Sequence, residues 1–157
     1  MWRGELSAHC TGQMGRLLRS KHHTGVQPGR THPSVSGERI IEVCVPVADA
    51  RYAHRTLVLD MRGLHNAFDA MVVTAGSNAE HVRRIAEAIL ARVRAELGVS
   101  PASIEGWSGG EWIALDYGSV VVHVMSDEAR AYYDLEYLWS MAPVRVSEAW
   151  VEPVGVA

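Results

Sequence analysis

The chain has 157 residues, 48% of them hydrophobic and 21% charged, with a formal net charge of -3. That length accommodates one well-buried domain plus an extension, and no run approaches the roughly 18 consecutive apolar residues that a helical membrane span needs. Cys10 and Cys44 are the only cysteines and lie far apart, which argues against a zinc site or a disulfide framework and favours a reducing, intracellular setting.

The charge is unevenly placed. Residues 1–37 hold five Lys/Arg against the single acid Glu5, a balance of 5 − 1 = +4, so residues 38–157 carry 10 basic and 17 acidic groups, a balance of -7. This describes a basic arm on an acidic body. An acidic body disfavours broad contact with phosphate backbones, so any rRNA contact belongs to the N-terminal arm. The arm is rich in Gly, Ser, Thr, Pro and His without periodicity and reads as disordered. It is nearly free of acids, as organellar transit peptides are, but lacks their long amphipathic helix and the apolar core of a signal peptide. A variable bacterial extension, or a start codon placed too far upstream, is the preferred reading. The expected location is therefore cytoplasmic, with mitochondrion or chloroplast the alternative if residues 1–37 are a transit peptide.

Along residues 38–54, Ile40, Ile41, Val43, Val45 and Val47 nearly alternate around Pro46. Proline lacks the backbone donor, so a continuous helix is not expected here. Residues 56–61 and 70–74 read as short buried strands joined through a turn at 62–64. Ser77, with Glu80 three residues on, reads as a capping box. It opens an amphipathic helix with Val82, Ile85, Ala86, Ile89, Leu90, Val93 and Leu97 on one side, ended by Gly98. Residues 105–124 contain two apolar strands joined by a tight turn. Ser126 then caps a last helix closed by Pro143, with Asp127 and Glu128 beside its positive end. The order strand, strand, helix, strand, strand, helix predicts an α/β (α+β) domain over residues 38–146, a mixed sheet flanked by helices, followed by a tail at 147–157.

Candidate chemistry is sparse. Gly76-Ser77 between a strand and a helix has the form of a phosphate-binding turn. Nucleotidyltransferases follow such a pair with two carboxylates one residue apart, whereas residues 86–92 contain Glu87 alone, so the two-metal site has no ligands and a helix cap is the simpler reading. No GxGxxG and no Walker-type lysine occurs. Asp60 and Asp116 end strands, where a carboxylate more often hydrogen-bonds a turn than catalyses. His81 and His123 have no Ser or Cys partner at an informative spacing, and His9, Cys10, His22, His23 and His32 are irregularly placed in the arm. No catalytic residue, cofactor or metal is expected. The strand around residue 112 is more informative: Trp112, Ala114 and Asp116 alternate with Ile113, Leu115 and Tyr117. If the Ile113 face is the core, Trp112 and Asp116 face outward, as an interface hot spot would. Packing of Trp112 under a helix is the equal alternative.

Several motifs occur in one order along residues 55–143: Leu59-Asp60-Met61-Arg62-Gly63 with Asp69, Thr74-Ala75-Gly76-Ser77-Asn78-Ala79-Glu80-His81-Val82, Glu105-Gly106, Glu111-Trp112-Ile113 and Leu115-Asp116-Tyr117-Gly118. Val120-Val121-Val122-His123-Val124-Met125 follows, with Arg130, Tyr133, Leu135-Glu136 and Leu138-Trp139. Together they resemble the ribosomal silencing factor family, RsfS, also called Iojap. The resemblance implies a nucleotidyltransferase-like fold without the catalytic carboxylates and a non-enzymatic role. It implies binding to the large ribosomal subunit through ribosomal protein uL-fourteen, which blocks joining of the small subunit and represses translation. Carried over by position, the family's partner-binding strand and turn fall on Trp112, Asp116 and Tyr117, with the neighbouring helix adding surface. A homodimer is a further expectation of the family alone. The chain departs from the family pattern at Ala75, where a glycine is usual, at Ser119, where an Asp is common, and at residues 38–54, which stand where the family has its first helix. The rival readings are a nucleotidyltransferase-like nucleotide-binding enzyme, from Gly76-Ser77, and an organellar large-subunit assembly factor, from the basic arm.

Overall fold

The computed structural model describes residues 35–146 and the backbone of residues 149–151. Of the arm expected at residues 1–37, residues 1–34 lie outside the described residues, and Ser36 and Gly37 begin the domain's helix. The first described element is a helix, α1 (Gly37–Ala50), capped by Ser36, whose side chain accepts from the Arg39 N–H. The expectation that Pro46 forbids a continuous helix is therefore corrected. Ile40, Ile41, Cys44, Val45 and Ala48 are buried along one helical stripe, and burial of each large apolar side chain contributes about 1.5 to 3 kcal/mol. That outweighs the roughly 3 kcal/mol of an interior proline, whose ring here lies on the exposed side. The helix that the resemblance implies at residues 38–54 is thus present.

Two strands follow, β1 (His54–Asp60) and β2 (Ala70–Gly76), then the long helix α2 (Ala79–Leu97). Gly98 closes α2 in the left-handed region at φ 67°. The cap of α2 is Asn78, which accepts from the His81 N–H at 2.9 Å, and not Ser77. Glu80 turns outward to pair with Arg84 at 2.6 Å, so no capping box forms. The chain continues through β3 (Ser103–Glu105), β4 (Trp112–Asp116) and β5 (Val120–Ser126). The expected tight turn joins β4 and β5, with Gly118 at φ 88°. The single last helix expected from Ser126 is instead two short ones, α3 (Asp127–Tyr133) and α4 (Leu135–Leu138), separated by Asp134 in the left-handed region at φ 44°. Strands β6 (Val144–Val146) and β7 (Ala149–Val151) complete the described chain.

The described strands form one sheet in the order β3-β4-β5-β2-β1-β6-β7. Only β2 and β5 run parallel, so this is the mixed sheet flanked by helices that the element order predicts. Every residue of β2 is buried. Residues paired across strands share a face, which sorts the side chains into two layers. Val58, Val72, Val122, Val124, Ile113 and Leu115 pack with the stripes of α1 and α2 in the main core. The opposite layer holds Trp112, His123, Met125 and Met71, all buried, and carries α3 against Trp112.

Candidate partner-docking site

Trp112 lies on the face opposite Ile113, as alternation requires, but it is only 5% exposed. Its indole Nε1 donates to Nδ1 of His123 at 2.9 Å, and its ring centroid lies 4.9 Å from that of Tyr133 on α3. Asp116 on the same face is 3% exposed. The expected outward-facing Trp112 and Asp116 pair is therefore corrected: both are buried. Alternation distinguishes the two faces of a strand; it does not say whether the second face is also covered. Because Nδ1 of His123 accepts, its ring is held neutral, with the proton on Nε2. Burial pushes its pKa down to about 4.

Asp116 serves the β4–β5 turn. Its Oδ1 accepts from the Gly118 N–H at 2.7 Å and its carbonyl from the Ala102 N–H at 2.7 Å. Tyr117 is half-buried and packs against the α1–α2 core cluster, and burial raises its phenol above the ordinary range. The fold brings Trp112, Asp116 and Tyr117 together at one hairpin, yet it does not present them as one open surface.

The open surface lies on the next element. Tyr132 on α3, Tyr137 and Leu138 on α4, and Met141 just beyond are 61%, 79%, 55% and 78% exposed. Residues 127–141 also carry Asp127, Glu128, Asp134 and Glu136 against one base, Arg130, and that arginine is buried. The resemblance implies that the neighbouring helix adds surface but singles out none of these side chains; the signal for them is the density of Tyr, Leu, Trp and acid in residues 127–141. Trp112 lies beneath this surface, since it packs on Tyr133, which meets Tyr132 edge-on at 5.0 Å.

The Gly76-Ser77 turn is engaged within the chain. The Ser77 N–H donates to His81 Nδ1 at 3.0 Å, and His81 Nε2 donates to the Arg51 carbonyl at 2.7 Å. The donor that a phosphate would need thus already has an acceptor. A Cβ on Gly76 would lie 3.1 Å from the Val82 nitrogen and 3.2 Å from the His81 ring, so this glycine serves close helix packing. Asp60, the other strand-end acid, accepts from the backbone N–H and Nε of Arg62. Those hydrogen bonds hold its carboxyl below the ordinary range, which suits a turn-stabilising group.

Comparison with known proteins bears on these features. Residues 34–154 match the family model described as "Ribosomal silencing factor during starvation". The ribosomal silencing factor RsfS of Halalkalibacterium halodurans is 33% identical over 109 residues, 69% of this chain and 92% of that protein. The mouse protein named "Mitochondrial assembly of ribosomal large subunit protein 1" is 29% identical over 138 residues, 80% of this chain and 60% of that protein. A crystal structure of a Chromobacterium violaceum protein superposes with a TM-score of 0.64 at 29% identity, covering 78% of this chain and 97% of its own. With the family match spanning the whole described fold, the chain belongs to the RsfS/Iojap family of ribosomal silencing factors.

Proposed function

We propose that this protein is a non-enzymatic silencing factor that docks on the large ribosomal subunit through ribosomal protein uL-fourteen, blocks joining of the small subunit and so represses translation in the cytoplasm. The observation that carries this reading is the α3–α4 surface, where Tyr132, Tyr137, Leu138 and Met141 stand exposed beside the exposed acids Asp127, Glu128 and Asp134. Aromatic anchors are the residue types on which binding energy concentrates, and an acidic rim favours the basic surface of a ribosomal protein in both encounter and register. The names of relatives point the same way, one a silencing factor and another an assembly protein of the large subunit.

In this reading Trp112, Asp116 and Tyr117 act from beneath and beside the contact. Trp112 supports α3 through Tyr133, while Asp116 and Tyr117 hold the hairpin that carries Trp112. The engagement of the Ser77 N–H by His81 favours a binding role over nucleotide chemistry. Calorimetry with purified uL-fourteen tests the proposal. Saturable one-to-one binding that weakens as salt is raised is expected, and absence of heat at high micromolar concentration would count against it.

A further inference from the structure

The exposed side chains of the docking face ride on two short helices. Helix α4 is a single turn of four residues, too short to persist by its own hydrogen bonds, and Asp134 breaks it from α3. Leu135 is its only buried residue. Ring contacts also hold this region, Tyr133 on Trp112 at 4.9 Å and Trp139 on His65 at 6.0 Å, and the cation within it is Arg130 on α3, buried at 2% exposure. Its Nε and Nη2 donate to Oε1 of Glu136 on α4 at 2.8 and 2.6 Å. Its Nη1 donates to the carbonyls of His54 and Arg55 at 3.1 and 2.6 Å. One guanidinium thus ties α3, α4 and the start of β1.

The strand end it grips is irregular in a way that supplies those acceptors. Register with β2 shifts between His54 and Leu57, and Arg55 stands in the left-handed region at φ 45°. Carbonyls at such a break are not all used by the ladder. His54 adds a second link, its Nδ1 lying 2.9 Å from Oδ2 of Asp127, the first residue of α3. Tyr137 and Leu138 follow Glu136 directly, so the point at which Arg130 holds Glu136 sets where they project.

We infer that Arg130 is the positioning residue of the docking face: its planar fork locks α4 against the start of β1 and so orients Tyr137 and Leu138 toward the partner. This rests on the function proposed above for the face, and its structural half stands independently. Lysine keeps the charge but is a point donor on a flexible stem, so it satisfies Glu136 or the carbonyls and does not fix all three.

The test compares the wild-type protein with Arg130→Met, Arg130→Lys and Tyr137→Ala, by thermal unfolding, by hydrogen exchange and by binding to purified large subunits. Arg130→Met is expected to melt lower and to bind poorly. Arg130→Lys is expected to recover most of the melting temperature yet to bind about 10-fold more weakly than wild type, with faster exchange confined to residues 131–142 and unchanged protection in α2. Recovery of binding in step with melting temperature would overturn the inference, since Arg130 would then act on stability alone. Unchanged exchange at 131–142 in both Arg130 variants would overturn it whether or not the subunit is bound. If Tyr137→Ala binds like wild type while the exchange pattern appears as expected, the docking face is misplaced, and the hold of Arg130 on α4 remains.

Discussion

Trp112 and His123 are joined diagonally across β4 and β5 by a 2.9 Å hydrogen bond from the indole Nε1 to the imidazole Nδ1. The strand register pairs His123 with Ala114 and Trp112 with Met125, so the two side chains meet along the diagonal of one sheet face. The bond fixes the histidine tautomer and anchors the indole on which α3 rests. Protonation at Nδ1 would replace an acceptor with a donor facing a donor.

Stability should therefore fall with acidification in a defined window. Burial lowers the His123 pKa from 6.5 to about 4, so below pH 6.5 the unfolded chain takes up a proton that the folded chain refuses. The stabilisation is complete above the unfolded value and is lost as pH falls toward about 4, on the order of 3 kcal/mol across the window. Glu38 and Asp60, held low by hydrogen bonds from Arg145 and Arg62, add further loss at still lower pH. Urea unfolding of wild type and His123→Asn between pH 7.5 and 4.5 checks this. The variant, which keeps an acceptor for Trp112 without a titrating ring, should show a flatter slope.

Truncating Trp112 should damage the fold as well as any contact. Trp112→Ala removes a buried indole and leaves His123 without its donor, at a cost of about 3 to 5 kcal/mol. Trp112→Phe keeps most of the packing and loses the hydrogen bond, costing about 1 to 2 kcal/mol. Denaturant midpoints of the two variants give the comparison, and a Trp112→Ala midpoint equal to wild type would mean that the indole is not packed as described.

Pro46→Ala should stabilise the protein. Pro46 lies inside α1 with its side chain exposed, so alanine restores an N–H to the helix ladder and removes the ring's clash without altering the core. A gain of about 1 to 3 kcal/mol is expected, read as a higher melting temperature. No gain would show that the helix has bent to absorb the proline.

Much of this architecture was legible in the residues. Helical periodicity placed Val82, Ile85, Ile89 and Val93, all of which are buried, and the valine run with its Gly118 turn placed the β4–β5 hairpin. The losses have physical causes. At α1 a local penalty from Pro46 was outweighed by tertiary burial of Ile40, Ile41 and Cys44. At the α3–α4 break, Asp134 adopts a backbone conformation that asparagine and aspartate tolerate better than most residues, a choice no periodicity reveals. The candidate site was half visible. Alternation put Trp112 and Asp116 on one face, while cover on that face comes from α3, whose position depends on Arg130 meeting carbonyls more than seventy residues earlier in the chain.

Tyr137 separates docking from folding, because it is 79% exposed and its loss should change stability by no more than about 0.5 kcal/mol. The most direct measurement is sucrose-gradient sedimentation of the protein with purified large subunits, followed by addition of small subunits, for wild type and Tyr137→Ala. Wild type is expected to migrate with the large subunit and to reduce the joined peak, and Tyr137→Ala, equally folded, to do so markedly less. Wild-type protein that stays at the top of the gradient and leaves subunit joining unchanged would rule out docking on the large subunit.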